Sequence, residues 1–134
     1  MTSIESNKAL ALDFLGHAFA NRVDEALSRL SPDANWWVIG DPQRLKVSGD
    51  KNRVQIEKLL RGLVRMIPGG MRMTVKGITA EGARVAVEIE SEGAFANGGA
   101  YHNHYHFLIE IREGLIVSVR EYMDTLHLLD VLSG

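Results

Sequence analysis

The chain has 134 residues, 46% apolar and 24% charged, which is the make-up of a single globular domain spanning 1–134. Its 15 basic and 17 acidic residues leave a net charge of −2, and no stretch gathers Lys and Arg, so nucleic acid is not an expected partner. With no cysteine, disulfides, thiolate metal sites and thiol catalysis are excluded.

Taken in chain order, the first half has helical periodicity. SNKALALDFLGHAFAN (6–21) spaces Leu10, Phe14, Leu15, Ala18 and Phe19 along one side, with Ser6 as the expected cap. RVDEALSRLSPD predicts a shorter helix carrying Val23, Ala26, Leu27 and Leu30, ended by Pro32. ANWWVIG reads as a short strand, and DPQRLKVSG as a loop. DKNRVQIEKLLRGLVRMIPGG predicts a third helix with Val54, Leu59, Leu60, Leu63 and Val64 apolar, stopped by Pro68-Gly69-Gly70. The period then changes to two. MRMTVKGITAEG, ARVAVEIESEG, AYHNHYHFLIEIREG and LIVSVREYMD are predicted strands, with Glu113-Gly114 as a tight turn. TLHLLDVLSG closes as a short helix capped by Asp124 or Thr125. Helices first and an antiparallel run later predict an α+β fold, with helices covering one face of a curved sheet. No apolar run approaches bilayer length. The N-terminus has an early acid, Glu5, and no basic region ahead of an apolar run, so no signal peptide is predicted and the cytoplasm is the expected location.

Several pieces in this order carry a resemblance. Trp36-Trp37 follows the second helix, and Gly49-Asp50 opens the third. An acidic strand EIESEG precedes an aromatic strand YHNHYHF, and IREGLIVSVREYMD leads into the last helix. The chain thereby resembles the NTF2-like (cystatin-like) α+β cone, and within it the SnoaL-like, limonene-epoxide-hydrolase-like and ketosteroid-isomerase-like branch. The resemblance implies three helices of the N-terminal half packed on a mostly antiparallel sheet, around a pocket for a small apolar molecule. It also implies a homodimer through the convex sheet face, and no cofactor.

Laid on this sequence, the Arg of the epoxide hydrolases' Asp-Arg-Asp group falls on Glu88, its partner Asp on Glu90 and the second Asp on Glu121. Without the Arg, epoxide opening is not expected, because three acids in a dry pocket repel one another. Ketosteroid isomerase chemistry lacks its acid on the first strand, where Trp36, Trp37 and Val38 stand, and has Phe14 where a Tyr is wanted. The implied site is then a carboxyl pair, Glu90 and Glu121, acting as general acid and base. Trp36, Val38, Leu60, Val64, Glu88, Asn103, Tyr105, Val119 and Met123 are the expected ligand-binding residues, with Asn103 and Tyr105 orienting a ligand oxygen.

Alternation leaves the faces open. On its own it buries Val85, Val87 and Ile89 and exposes Glu88 and Glu90. The resemblance inverts this, making the acidic face the pocket and the valine face a dimer interface. If Asn103, Tyr105 and Phe107 face inward, His102, His104 and His106 face outward. A His-x-His-x-His strand suits zinc or copper in principle, yet no acidic companion stands near it in sequence, so no metal site is expected. The histidines read instead as a polar outer face meeting its copy across a dimer. His127 reads as surface, and His17 as partly buried packing. The expected function is cofactor-independent acid/base catalysis on a small apolar, oxygen-bearing molecule, of isomerase, cyclase, dehydratase or hydrolase type. The alternative is a binding protein with the same pocket and no turnover.

Overall fold

The computed structural model describes residues 3–134. Ser3 opens the first helix, α1 (Ile4–Phe19), through a capping box with Ser6: the Ser3 hydroxyl accepts from the Ser6 amide at 3.0 Å, and the Ser6 hydroxyl accepts from the Ser3 amide at 3.0 Å. Ser6 is therefore the third helical residue and not the cap. Helix α2 (Val23–Ser28) ends before Leu30, which already belongs to strand β1 (Leu30–Val38). Pro32 sits inside β1 and not at a helix end. It lies where pairing to the neighbouring strand is interrupted between Leu30 and Asn35, so its missing N–H costs no ladder bond.

Gly49-Asp50 does not open a helix. It forms a three-residue strand, β2 (Gly49–Lys51), with no apolar residue to announce it. Asn52 then caps α3 (Arg53–Met66), again with a capping box, to Gln55. The buried stripe of α3 runs through Ile56 and Leu60, so Val54 and Val64 fall off it and are exposed. Strands β3 (Arg72–Glu81), β4 (Arg84–Ala94), β5 (Ala100–Arg112) and β6 (Leu115–Met123) follow, then α4 (Thr125–Ser133) capped by Asp124. At the β5–β6 turn both Glu113 (φ 54°) and Gly114 (φ 75°) are left-handed, the conformation a two-residue hairpin turn needs.

The sheet order is β2-β1-β6-β5-β4-β3. Only the β1–β6 pair is parallel; every other neighbour pair is antiparallel. Four helices and an open six-stranded mixed sheet thus form the expected α+β cone. No helix among the described residues is long and apolar enough to cross a membrane.

Register settles which face is inside. Val85, Val87 and Ile89 pair with Ile109, Phe107 and Tyr105, and all six are buried against the helices. The valine face is therefore core and cannot be a dimer interface. Glu88 and Glu90 pair with His106 and His104 on the outer face, with His102 beside them. Truncating Ile109, fully buried, to Ala should cost about 2–5 kcal/mol. His106→Ala, three rungs away and facing out, should stay within about 0.5 kcal/mol. Urea unfolding of the two variants checks the assignment of faces.

Candidate functional site

Under the helices the sheet leaves a cavity walled by α1, α3, α4 and the inner face of β1, β5 and β6. Its volume is about 60 Å³. That is room for roughly four to six waters or a compact organic group. Phe19, Phe95 and Phe107 give aromatic walls, and Met66, Met71 and Met123 give pliable ones. Among the described residues, Glu121 is the only charged side chain in the lining.

Glu121 is inside because it stands opposite Phe107 on β5 and Val38 on β1, both buried. Its Oε1 accepts a hydrogen bond from Trp36 Nε1 at 2.9 Å; among the described residues Oε2 has no such partner. Burial pushes its pKa up to about 7, against smaller opposing effects from the Trp36 bond and the Lys51 charge. Lys51, at the sheet edge, is held below the usual lysine range by burial and partly restored by the Glu121 and Asp50 charges. Glu121 therefore exchanges its proton near neutrality, in an apolar cavity where nothing fully balances its charge.

The second polar feature is a pair of phenols. The Tyr101 and Tyr105 hydroxyls lie 2.7 Å apart, and Asn103 Nδ2 donates to Tyr101 Oη at 2.7 Å. Burial raises the Tyr101 pKa to about 12 and the Tyr105 pKa well above its ordinary value, and the Glu121 charge adds to both shifts. Both stay neutral donors. Asn103 itself is fully committed. Its Oδ1 accepts from the amides of His104 (2.7 Å) and Asp124 (3.1 Å), and its Nδ2 also donates to the Asp124 carbonyl at 3.1 Å. Its donors and acceptors are thus all engaged within the protein; it holds the start of α4 and does not line the cavity.

Of the residues singled out from the sequence, Trp36, Val38, Leu60, Tyr105, Glu121 and Met123 line the cavity. It does not bring Glu90 there. Glu90 lies on the opposite face of the sheet, hydrogen-bonded to His102 Nε2 at 2.7 Å, so the Glu90–Glu121 pair does not exist. Glu88 is exposed on that same face, Val64 is exposed on α3, and Val119 is buried in the core away from the lining. Tyr101 was missed, although it shares the parity of Tyr105 and was marked by it. His127 stacks on Tyr101 with centroids 5.4 Å apart, half-buried beside the site. His17 is partly buried between Asp13 and Arg22.

An open α+β cone with its pocket between sheet and helices is the NTF2-like fold, and solved structures agree over nearly their full lengths. An NTF2-like protein of unknown function from Burkholderia pseudomallei K96243 is 16% identical, with 100% of both chains covered and a TM-score of 0.84. An LEH-like epoxide hydrolase of M. tuberculosis is 18% identical over 98% of this chain and 92% of that one, with a TM-score of 0.76. A protein of ketosteroid isomerase-like fold from Catenulispora acidiphila DSM 44928, in complex with trimethylamine, is 14% identical over 91% and 90%, with a TM-score of 0.75. No protein of curated function matches the chain. The SnoaL-like domain model matches residues 12–119, and the chain belongs to that family.

The raised carboxyl has a stability consequence of definite sign. Glu121 binds its proton more tightly folded (about 7) than at its ordinary value of 4.5, so its contribution is complete below pH 4.5 and is lost as pH rises through 7. Glu121→Gln should therefore gain on the wild type by about 3 kcal/mol between pH 4 and pH 8. Urea unfolding of both proteins at the two pH values measures it, and a constant difference would deny the shift.

Proposed function

We propose that the chain, acting as one SnoaL-like domain, is a cofactor-independent proton-transfer catalyst of isomerase type for a compact, mainly apolar ligand carrying an oxygen. The observation that carries the reading is Glu121: a buried carboxyl in an apolar cavity, its pKa pushed by burial up to about 7, with one oxygen free of hydrogen-bond partners among the described residues. A lone carboxyl suits a reaction in which one group takes a proton from carbon and returns it to another. It suits epoxide hydrolysis poorly, since that needs a base for water and a separate acid for the leaving oxygen. In this reading Asn103 donates to Tyr101, Tyr101 to Tyr105, and the Tyr105 hydrogen is presented to the ligand oxygen, where negative charge develops.

The test needs no knowledge of the product. Small cyclic ketones and enones are screened for binding by thermal shift, and binders are followed by NMR in D2O for exchange of protons next to the carbonyl. Exchange catalysed by the wild type should rise with pH to a plateau above about 7, because the base must be ionised. Glu121→Gln should bind the same compounds and lose about 10²–10⁴-fold in exchange rate. Binding without exchange in either protein would overturn the catalytic reading. It would leave the second one, a binding protein, which the almost wholly apolar lining also favours.

The outer face of the sheet supports self-association. There Arg120 lies 4.2 Å over the Trp37 ring and Tyr122 meets Trp37 edge-on at 5.2 Å, an Arg-aromatic group of the kind found at interface centres. A homodimer through this convex face predicts a two-chain mass in sedimentation equilibrium, reduced to one chain by Trp37→Glu. A one-chain wild type would rule it out.

A further inference from the structure

On the outer face, away from the cavity, β4 and β5 set three carboxylates directly opposite three imidazoles: Glu92 with His102, Glu90 with His104, and Glu88 with His106. The rungs are not equivalent. His102 leans diagonally to Glu90, its Nε2 2.7 Å from Oε2, and its ring lies 5.4 Å from that of His104. One ligating atom from each of Glu90, His102 and His104 falls within 4.8 Å of the other two. The carboxylate that the strand's own sequence lacked is supplied across the hairpin, 12 residues before His102.

Two imidazole nitrogens and one carboxylate oxygen form a donor set for borderline divalent transition metals, with water completing the tetrahedron. Ligand atoms about 2.1 Å from a tetrahedral ion stand about 3.4 Å apart. The Glu90–His102 pair is already closer than that, and His104 closes the rest by rotating an exposed side chain. All three ligands rise from paired positions of regular strands and not from loops, which fixes their spacing before an ion arrives. One group opposes binding: Lys76 Nζ lies 3.8 Å from Glu90 Oε1, on an exposed side chain free to swing away.

We propose that Glu90, His102 and His104 form a surface site for a divalent ion of the zinc class, clamped across the β4–β5 hairpin. The site is separate from the cavity and does not depend on any catalytic role for Glu121. Magnesium and calcium, which call for oxygen ligands, are not its ions.

Zinc chloride titrated calorimetrically into the full chain at pH 7.5 should saturate at one ion per chain, while magnesium chloride should give no saturable heat. His102→Ala, His104→Ala and Glu90→Gln should each weaken zinc binding by about tenfold or more, since the loss of even an outer-shell partner costs that much. His106→Ala, an exposed histidine on the same face outside the triad, should leave it unchanged. Lys76→Met should tighten it by removing the competing cation, a response that scattered surface histidines would not give. Side-chain NMR of ¹⁵N-labelled protein should locate the zinc-induced shifts at His102 and His104, and circular dichroism checks that each variant is folded. Absence of saturable zinc binding by the wild type overturns the proposal. So does a loss on His106→Ala equal to that of the triad variants, or wild-type affinity in Glu90→Gln and His104→Ala.

Discussion

Across the middle of the sheet Val87, Phe107 and Glu121 stand in one row, Phe107 paired to a neighbour on each side. Because side chains alternate along a regular strand, this row assigns the residues of β4, of β5 and of β6 from Ser118 onward to a face; before Ser118 a register irregularity turns Ile116 into the core as well. It places Val85, Val87, Val119, Tyr101, Tyr105 and one glutamate, Glu121, under the helices. It places the three glutamates of β4 and the three histidines of β5 outside. A slip of one residue would turn the core inside out, exposing the paired rows of Val85, Val87 and Ile89 with Ile109, Phe107 and Tyr105 and burying a band of charge. The register is therefore held by the whole hydrophobic energy of the sheet and not by any local turn.

Within that frame Glu121 is a local conflict. The row that buries it gives it one indole hydrogen bond and a lysine at the sheet edge, less than a carboxylate receives from water. Such groups are costly to the fold and persist where their ready protonation has a use. The phenols beside it are treated differently. Tyr101 and Tyr105 satisfy one another and are anchored by Asn103, so their hydroxyls are fixed in place without charge.

Much of this was legible in the chain. The change of period from helical to alternating gave the order of elements, and turn and cap residues marked most of the boundaries. The three-residue β2 was not legible, since Gly-Asp-Lys has neither apolar alternation nor length. Nor were the helix starts to the residue, because Ser3 and Ser6 are equally good caps and only the backbone distinguishes Ncap from N3. The larger error concerned Glu88 and Glu90. Alternation alone put them outside, correctly, and the family correspondence moved them in. A constraint within the sequence would have prevented it. If Tyr105 and Phe107 face the pocket, the apolar set of the hairpin partner must share their face, and on β4 that set is Val85, Val87 and Ile89. The same pairing rule would have found the acid beside the histidines, which proximity along the chain could not reveal.

Asn103 gives the site one further property. Helix α4 contributes Leu128 and Leu132 to the cavity wall, and its first turn hangs from the two hydrogen bonds between Asn103 and the Asp124 backbone. The same amide nitrogen donates to Tyr101. A displacement of α4 wide enough to admit a ligand on that side breaks those bonds and frees the amide to turn away from the phenols. The start of α4 and the paired phenols thus share one anchor, so the position of that helix and the alignment of the two hydroxyls are mechanically tied to a single side chain.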